Sequence, residues 1–288
     1  MHEPIMATLT YIIICYNSAE VIDANMHALL NQTPHQVIII DNNSADGSLA
    51  LLKHRFSQCT ILSLPQNIGY GRAANVAIDC CETSHCLLIN PDVSITADDV
   101  SHLLREADKY SEAAILAPAT QPKHQALGTG PIEQTFLNGS CMLLDRQKIK
   151  NLGAFDTAIF LFSEEADLCT RCTQAGYQLL LFPQIAAQHF KGQSSGNSKA
   201  LIFMRNWHFA WSRAYYFNKH KMARGKRSPW RRLVTYGWKF ITASSAEKRI
   251  KYRANLSGTI AFLRGSKAFQ TDGNAIASLR SPMNPYRD

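Results

Sequence analysis

Four short apolar runs, rich in β-branched residues, lie at residues 9–15, 37–40, 61–64 and 86–89, about 25 residues apart. Runs of this length without polar alternation predict strands buried on both faces of a parallel sheet. Amphipathic helical patterns fill the gaps at residues 20–30, 48–56 and 71–81, the second following the turn at Asp46-Gly47. Alternating strands and helices predict right-handed βαβ crossovers and an open α/β sheet. A fifth unit, helix 98–110 and strand 114–117, continues the alternation. The pattern then changes. Residues 121–131 are rich in turn formers, 138–144 read as a further strand, 164–174 as a helix closed by Gly176, and 179–182 as the next strand. Residues 192–198 (GQSSGNS) read as a linker, followed by basic, aromatic-rich helices over 203–221 and 230–269, interrupted near Gly225, Ser228 and Pro229.

Composition narrows the class. The 288 residues are 46% hydrophobic and 18% charged, which suits one large or two ordinary globular domains and excludes a disordered chain. No repeat recurs at solenoid periods. The net charge of +8 divides unevenly: residues 1–190 hold ten Lys and Arg against nineteen Asp and Glu, net −9, and residues 191–288 hold twenty against three, net +17. The apolar run at 11–15 is too short for a signal-peptide core and no basic cluster precedes it, so a cytoplasmic chain is expected, with any membrane contact peripheral. All eight Cys fall between Cys15 and Cys172. Cys169 and Cys172 form a CxxC, but neither a second CxxC nor an HxxxH pair accompanies it, so core packing is the expected role.

Open α/β sheets bind ligands beyond the carboxyl ends of their strands. Tyr16, Asn17 and Ser18, then Asp41 to Ser44, Pro65 to Asn67, and Asn90 to Asp92 occupy those ends. A carboxylate at Asp41 suits a ribose hydroxyl or a base NH, and equally suits a cap on its own turn through Asn43 or Ser44. No GxGxxG follows the first strand, which disfavours a nicotinamide dinucleotide. Asp92, after Pro91, is placed to hold a divalent cation against a diphosphate, although Asn-Pro-Asp by itself is a turn motif.

The ordered motifs YNS, IIIDNNSADGS, NIGYGRAAN, LLINPDV, NGSCMLL, GAFD, EEADLCTRCTQAGY and a later strand ending in His189 span residues 8–195. In that order they resemble the inverting family 2 glycosyltransferases of GT-A fold, most of all the branch that includes rhamnosyltransferases of surface-polysaccharide and lipopolysaccharide assembly. The resemblance implies a GT-A (Rossmann-like) mostly parallel sheet flanked by helices over residues 1–195, followed by a basic helical C-terminal region over 196–288. It implies nucleotide-sugar contacts from Tyr16, Asn17, Asp41, Asn67, Gly69, Arg72, Asn75 and Asn90, and a Mn²⁺ or Mg²⁺ ion held by Asp92, with His189 able to join it. Asn90 stands where the family's DxD motif has its first aspartate. Physically, Arg72 suits a phosphate partner or a solvated surface position, and His189 suits a metal ligand or an ordinary satisfied histidine.

The same resemblance implies a general base at the acidic pair opening helix 164–174. Glu165 fills the position of the usual aspartate and is assigned as base, with Glu164 as the other candidate; a purely electrostatic role at the helix N-terminus is the alternative. The implied reaction moves a sugar from dTDP-rhamnose or a UDP-sugar to a hydroxyl of a glycan or lipid-linked acceptor, with inversion. Rival readings are a sugar nucleotidyltransferase, which should carry a Gly-rich basic loop after the first strand where this chain has YNSAE, and an inactive membrane-associated binding protein of the same fold. Residues 203–269 interleave cations with aromatics, which fits docking on an anionic membrane at the inner face of the cell membrane. Structural cover or a homodimer contact is a second reading, and nucleic acid fits poorly for want of any recognition signature. The chain lacks the QxxRW motif and membrane spans of processive synthases, so a single transfer per encounter is expected.

Overall fold

The computed structural model describes residues 8–190, 198–270, 272–278 and 284–286. The linker read over 192–198 lies outside them apart from Ser198. By internal contacts the chain divides into two compact units. The first comprises Met1–Asn67, Ala73–Phe155 and Leu168–Ser195, and the second Ile68–Arg72, Asp156–Asp167 and Gly196–Asp288.

In chain order the elements are β1 (Leu9–Cys15), α1 (Ala19–Gln32), β2 (Gln36–Asp41), α2 (Ser48–Arg55), β3 (Thr60–Ser63), α3 (Tyr70–Cys80), β4 (His85–Ile89), β5 (Val93–Ser94), α4 (Ala97–Lys109) and β6 (Ala113–Ala119). There follow α5 (Pro122–Gln125), β7 (Ile132–Glu133), β8 (Cys141–Asp145), α6 (Arg146–Asn151), α7 (Glu164–Gln174), β9 (Gln178–Ala186) and β10 (Gln188–His189). The helices α8 (Lys199–Lys219), α9 (Pro229–Ile241) and α10 (Ala246–Leu263) complete the chain, with a 3₁₀ turn at Gly225–Arg227.

The first unit carries every strand among the described residues. Eight form one sheet in the order β3-β2-β1-β4-β8-β6-β9-β7, and β10 pairs with β5 separately. The ladders β2–β3, β1–β2, β1–β4 and β6–β9 are parallel, as expected for βαβ units. The run expected as a strand over 138–144 begins only at Cys141, and it runs antiparallel to both β4 and β6. Every residue of β1 is buried, as are Val37 to Asp41 of β2, which is why these runs show no polar alternation. On one face of the sheet Leu9, Tyr11, Ile13, Val37 and Ile39 pack with Ile22, Met26 and Leu30 of α1 and with Val100 and Leu103 of α4 into one core.

In the second unit α8 and α10 pack through Phe203, Trp207, Trp211, Ile250 and Ala254. A Cβ on Gly258 of α10 would come within 2.3 Å of the Trp207 carbonyl oxygen, so only glycine permits this approach. The helical segment expected over 230–269 is two helices, interrupted at residues 242–245, and the second ends at Leu263. Ser245 supplies the missing punctuation: its hydroxyl caps α10 by accepting the Lys248 N–H at 3.2 Å.

Candidate active site

The register of the first unit aligns the strand-end residues. Cys15 of β1 lies opposite Asp41 of β2, and Asp41 opposite Ser63 of β3. Asp41 is buried, and its carboxylate accepts from the Ser44 N–H and the Ser63 hydroxyl at 3.4 Å each. Both contacts are long for hydrogen bonds, so the turn cap and a ligand contact are compatible. Asn17 adopts a left-handed backbone (φ 53°), donates its N–H to Ser44 Oγ at 2.9 Å and accepts the Ala45 N–H on Oδ1 at 2.8 Å. It thereby fixes the loop that follows β2. Half-buried Tyr16 precedes it, its N–H donating to Ser18 Oγ at 3.2 Å. Asn67 accepts the Asn42 side-chain N–H at 3.1 Å, joining the ends of β2 and β3.

Asn75 of α3 makes a reciprocal pair with the Phe155 backbone, donating to its carbonyl at 2.8 Å and accepting its N–H at 2.9 Å. Its amide thus pins the loop before residue 156. Asn90 receives the Val93 N–H on its carbonyl and donates its own N–H to the Ser140 carbonyl, forming the turn that presents Asp92. The short ladder of β5 with β10 then decides the neighbour of Asp92. His189 stands opposite Val93, and the Phe190 N–H donates to the Asp92 carbonyl at 2.8 Å. The His189 Nε2 lies 3.3 Å from Asp92 Oδ1, a buried oxygen that takes no hydrogen bond. A bare buried carboxylate oxygen normally carries a desolvation penalty. An oxygen and an imidazole nitrogen so placed fit a hard divalent cation such as Mg²⁺ or Mn²⁺, whose remaining positions fall to diphosphate oxygens and water. Among the described residues no group of three or more His, Cys, Asp or Glu gathers as a self-sufficient metal cage.

In the second unit, Gly69 has φ +87°, and a Cβ there would meet the Phe160 carbonyl oxygen at 2.3 Å. Arg72 donates Nε–H to the Thr157 carbonyl at 2.7 Å, and its guanidinium lies 3.5 Å from the centre of the Phe269 ring. Glu164 is buried with Oε2 lacking a hydrogen bond. Burial, reinforced by the neighbouring Glu165 charge, holds its carboxyl well above the usual range. Glu165 is half-buried, and loss of water raises its pKa as well. The turn before them is strained: Phe162 and Ser163 both adopt left-handed conformations, φ 68° and 70°. Such backbone costs about 1–3 kcal/mol per residue and clusters at functional sites.

Asp167, the third carboxylate of the cluster, has a different employment. It is buried against Lys219 Nζ at 2.6 Å and His220 Nε2 at 2.8 Å. Asp156 accepts from the same Lys219 at 2.6 Å and from the Tyr215 hydroxyl at 2.9 Å. Burial opposes the charge of Asp156, but Lys219, the Ala158 N–H and Tyr215 outweigh it and hold the carboxyl below its usual range. Sequence reasoning missed this clamp, since nothing in the spacing of 156, 167 and 219 joins them. Cys169 and Cys172 are buried thiols outside any disulfide, and Cys169 Sγ accepts the Leu137 N–H at 3.5 Å.

Known proteins resemble this chain in sequence and in fold. The glycosyl transferase family 2 profile matches residues 10–169, more than half of the chain. An N-acetylglucosaminyl-diphospho-decaprenol L-rhamnosyltransferase of Mycobacterium tuberculosis is 25% identical over 245 residues, covering 65% of this chain and 80% of the relative. A mannosyltransferase from Pyrobaculum calidifontis, solved with GDP-Man and Mn²⁺, superposes with a TM-score of 0.61 at 14% identity, over 91% of this chain and 88% of its own. Residues 1–349 of TarS from S. aureus, solved with UDP, give 0.54 at 14% identity, over 98% and 100%. The fold is GT-A, and the chain belongs to glycosyl transferase family 2.

Proposed function

We propose that this glycosyltransferase is metal-dependent and inverting, and that it moves a sugar from dTDP-rhamnose or a UDP-sugar to a hydroxyl of a lipid-linked glycan in surface-polysaccharide assembly. The observation that carries the metal is the bare Asp92 Oδ1 beside His189. The solved mannosyltransferase with GDP-Man and Mn²⁺ supports the donor and metal classes. The mycobacterial relative, named for a diphospho-decaprenol acceptor and rhamnosyl transfer, supports the lipid-linked acceptor. No helix among the described residues is long and apolar enough to cross a membrane, so a lipid-linked acceptor calls for a peripheral location, which we place at the cytoplasmic face.

Asp41 has acceptor capacity to spare for the nucleoside, because both its present partners sit at 3.4 Å. Asn17 and Asn75 through backbone hydrogen bonds, Asn67 through the Asn42 side chain and Gly69 through its close approach to Phe160 would shape donor-binding loops. The family resemblance supports Tyr16, Asn90 and Arg72 as further donor contacts. Asp92 and His189 would hold the ion, which when bound offsets charge on the diphosphate. Glu165 takes the proton from the acceptor hydroxyl. That oxygen forms its bond to the anomeric carbon as the bond to the diphosphate oxygen breaks on the opposite face. The electron pair leaves with the nucleoside diphosphate. Between the two glutamates, burial disfavours the charge of Glu164 more strongly than that of the half-buried Glu165, which supports Glu165 as the base.

The test is transfer from a panel of dTDP- and UDP-sugars to a polyprenyl-diphosphate N-acetylglucosamine acceptor, with product anomers read by NMR. The expected product has the anomeric configuration opposite to the donor, and EDTA abolishes its formation until Mn²⁺ or Mg²⁺ is restored. Retained configuration refutes inversion, and undiminished transfer in EDTA refutes the metal.

A further inference from the structure

The aromatic residues of the basic C-terminal region divide into two populations. Those of α8, including Phe203, Trp207 and Trp211, are buried against α10. On α9, Trp230 is 65% exposed, Val234 73%, Trp238 68% and Ile241 73%. These four make up most of the large exposed hydrophobics among the described residues. At the ~100° per residue of an α-helix they fall within an arc of about 80°. Arg231, Thr235, Lys239 and Thr242, also exposed, occupy the adjoining arc. The opposite side, Arg232, Leu233, Tyr236, Gly237 and Phe240, is partly covered. The solvent face of α9 therefore has an apolar half edged by cations.

We propose that α9 docks the protein on an anionic lipid bilayer, with Trp230, Val234, Trp238 and Ile241 seated at the headgroup–acyl boundary. The proposal rests on the lipid-linked acceptor and narrows the membrane contact from residues 203–269 to 229–241. Charge selects this occupant. From residue 190 to residue 246 the sequence has twelve Lys and Arg and no Asp or Glu, and Arg224, Lys226 and Arg227 stand exposed just before α9. A surface of one sign repels a second copy of itself and attracts phosphatidylglycerol-type headgroups. The stripe is also small. A helix of 13 residues is about 20 Å long, and a strip about 10 Å wide along it falls well short of the ~800 Å² per partner of a stable protein interface. Tryptophan with flanking cations is, by contrast, what a helix lying in a membrane interface carries.

The experiment is flotation of the full chain with phosphatidylcholine vesicles, with and without phosphatidylglycerol. Wild type should float with the anionic vesicles and much less with the neutral ones. The double variant Trp230→Ala/Trp238→Ala should lose at least about tenfold in anionic-vesicle affinity, from two lost indole insertions. Arg231→Gln and Lys239→Gln should each cost about fivefold. Leu127→Ser, an exposed apolar residue of the first unit, should change nothing. Both tryptophans of the double variant are exposed, so its melting curve and its transfer to a short-chain, water-soluble acceptor should match wild type. Undiminished flotation of the double variant overturns the proposal. So does a wild-type dimer that the same two substitutions dissociate without altering lipid binding. If flotation behaves as stated but no polyprenyl-linked acceptor is glycosylated, the acceptor reading fails alone. If that acceptor is used and flotation ignores α9, the docking proposal fails alone.

Discussion

Two sets of carboxylates in the second unit differ in one respect. Asp156 and Asp167 are saturated: Lys219 serves both, Tyr215 donates to the first and His220 lies against the second. Glu164 and Glu165 open α7, the first with a buried oxygen that takes no hydrogen bond, and burial raises both their pKa values. Asp92, in the first unit, resembles Glu164 in having a buried oxygen that takes no hydrogen bond, with His189 Nε2 3.3 Å from it. A carboxylate whose oxygens are spoken for holds the chain together. One left unsatisfied in a buried place costs stability, and its retention points to a ligand or a proton as the missing partner.

The largest effect that separates the sets is on turnover. Glu165→Gln keeps the shape and removes the proposed base, so kcat should fall about 10²- to 10⁴-fold, with donor affinity and melting temperature unchanged. Turnover within a few-fold of wild type would place the base elsewhere and erase the distinction.

The opposite pattern is expected of Asp167→Asn. Its charge is wholly enclosed, and neutralising it strips His220 and Lys219 of their shared partner. Breaking a buried pair typically costs 3–5 kcal/mol; the lower end, about 3 kcal/mol, applies here because Lys219 retains Asp156 and is partly exposed. Thermal unfolding should shift accordingly, while kcat of the folded protein stays within a few-fold. An Asp167→Asn variant that melts with wild type but fails in turnover would move Asp167 into the reacting set.

These contrasts mark where the sequence was legible. Runs such as LTYIIIC and QVIIID declare buried parallel strands because polar residues do not alternate along them, and βαβ topology then puts Tyr16, Asp41, Asn67 and Asp92 at or just beyond strand ends. An apolar run has no direction, so the antiparallel course of β8 was hidden. Aromatic spacing on α8 and α9 looks alike, since a sequence does not show that α10 covers one and not the α9 stripe. The role of Asp167 depends on residues more than 50 positions away. The left-handed pair Phe162-Ser163 lacks the glycine that would have announced it.

A smaller effect follows at Gly69. Gly69→Ala demands a left-handed alanine whose Cβ meets the Phe160 carbonyl oxygen at 2.3 Å. Relief requires the 160 carbonyl to shift, so a loss of about 1–3 kcal/mol is expected. If Gly69 is only a hinge of the fold, donor affinity should survive; if its loop shapes the donor pocket, KM for the donor should rise as stability falls. Unchanged stability would mean that the close approach to residue 160 is not maintained in solution.

The smallest effect is read from a slope. The folded-state pKa of Glu164 lies above its unfolded value, so its contribution to stability is fully present below the ordinary glutamate pKa and lost as pH rises through the folded one. Glu164→Gln removes that titration. Between pH 5 and pH 8 the melting temperature of wild type should therefore decline relative to the variant's, the gap moving steadily in the variant's favour. The sign distinguishes Glu164 from Asp156, whose lowered pKa gives the reverse dependence: its contribution is present above the ordinary aspartate pKa and lost in acid, so wild type should lose its advantage over Asp156→Asn as pH falls below about 4. If the wild-type and Glu164→Gln curves ran parallel from pH 5 to 8, Glu164 would already be ionised in the folded protein. It would then compete with Glu165 for the proton, and the division of labour between the two glutamates would fall.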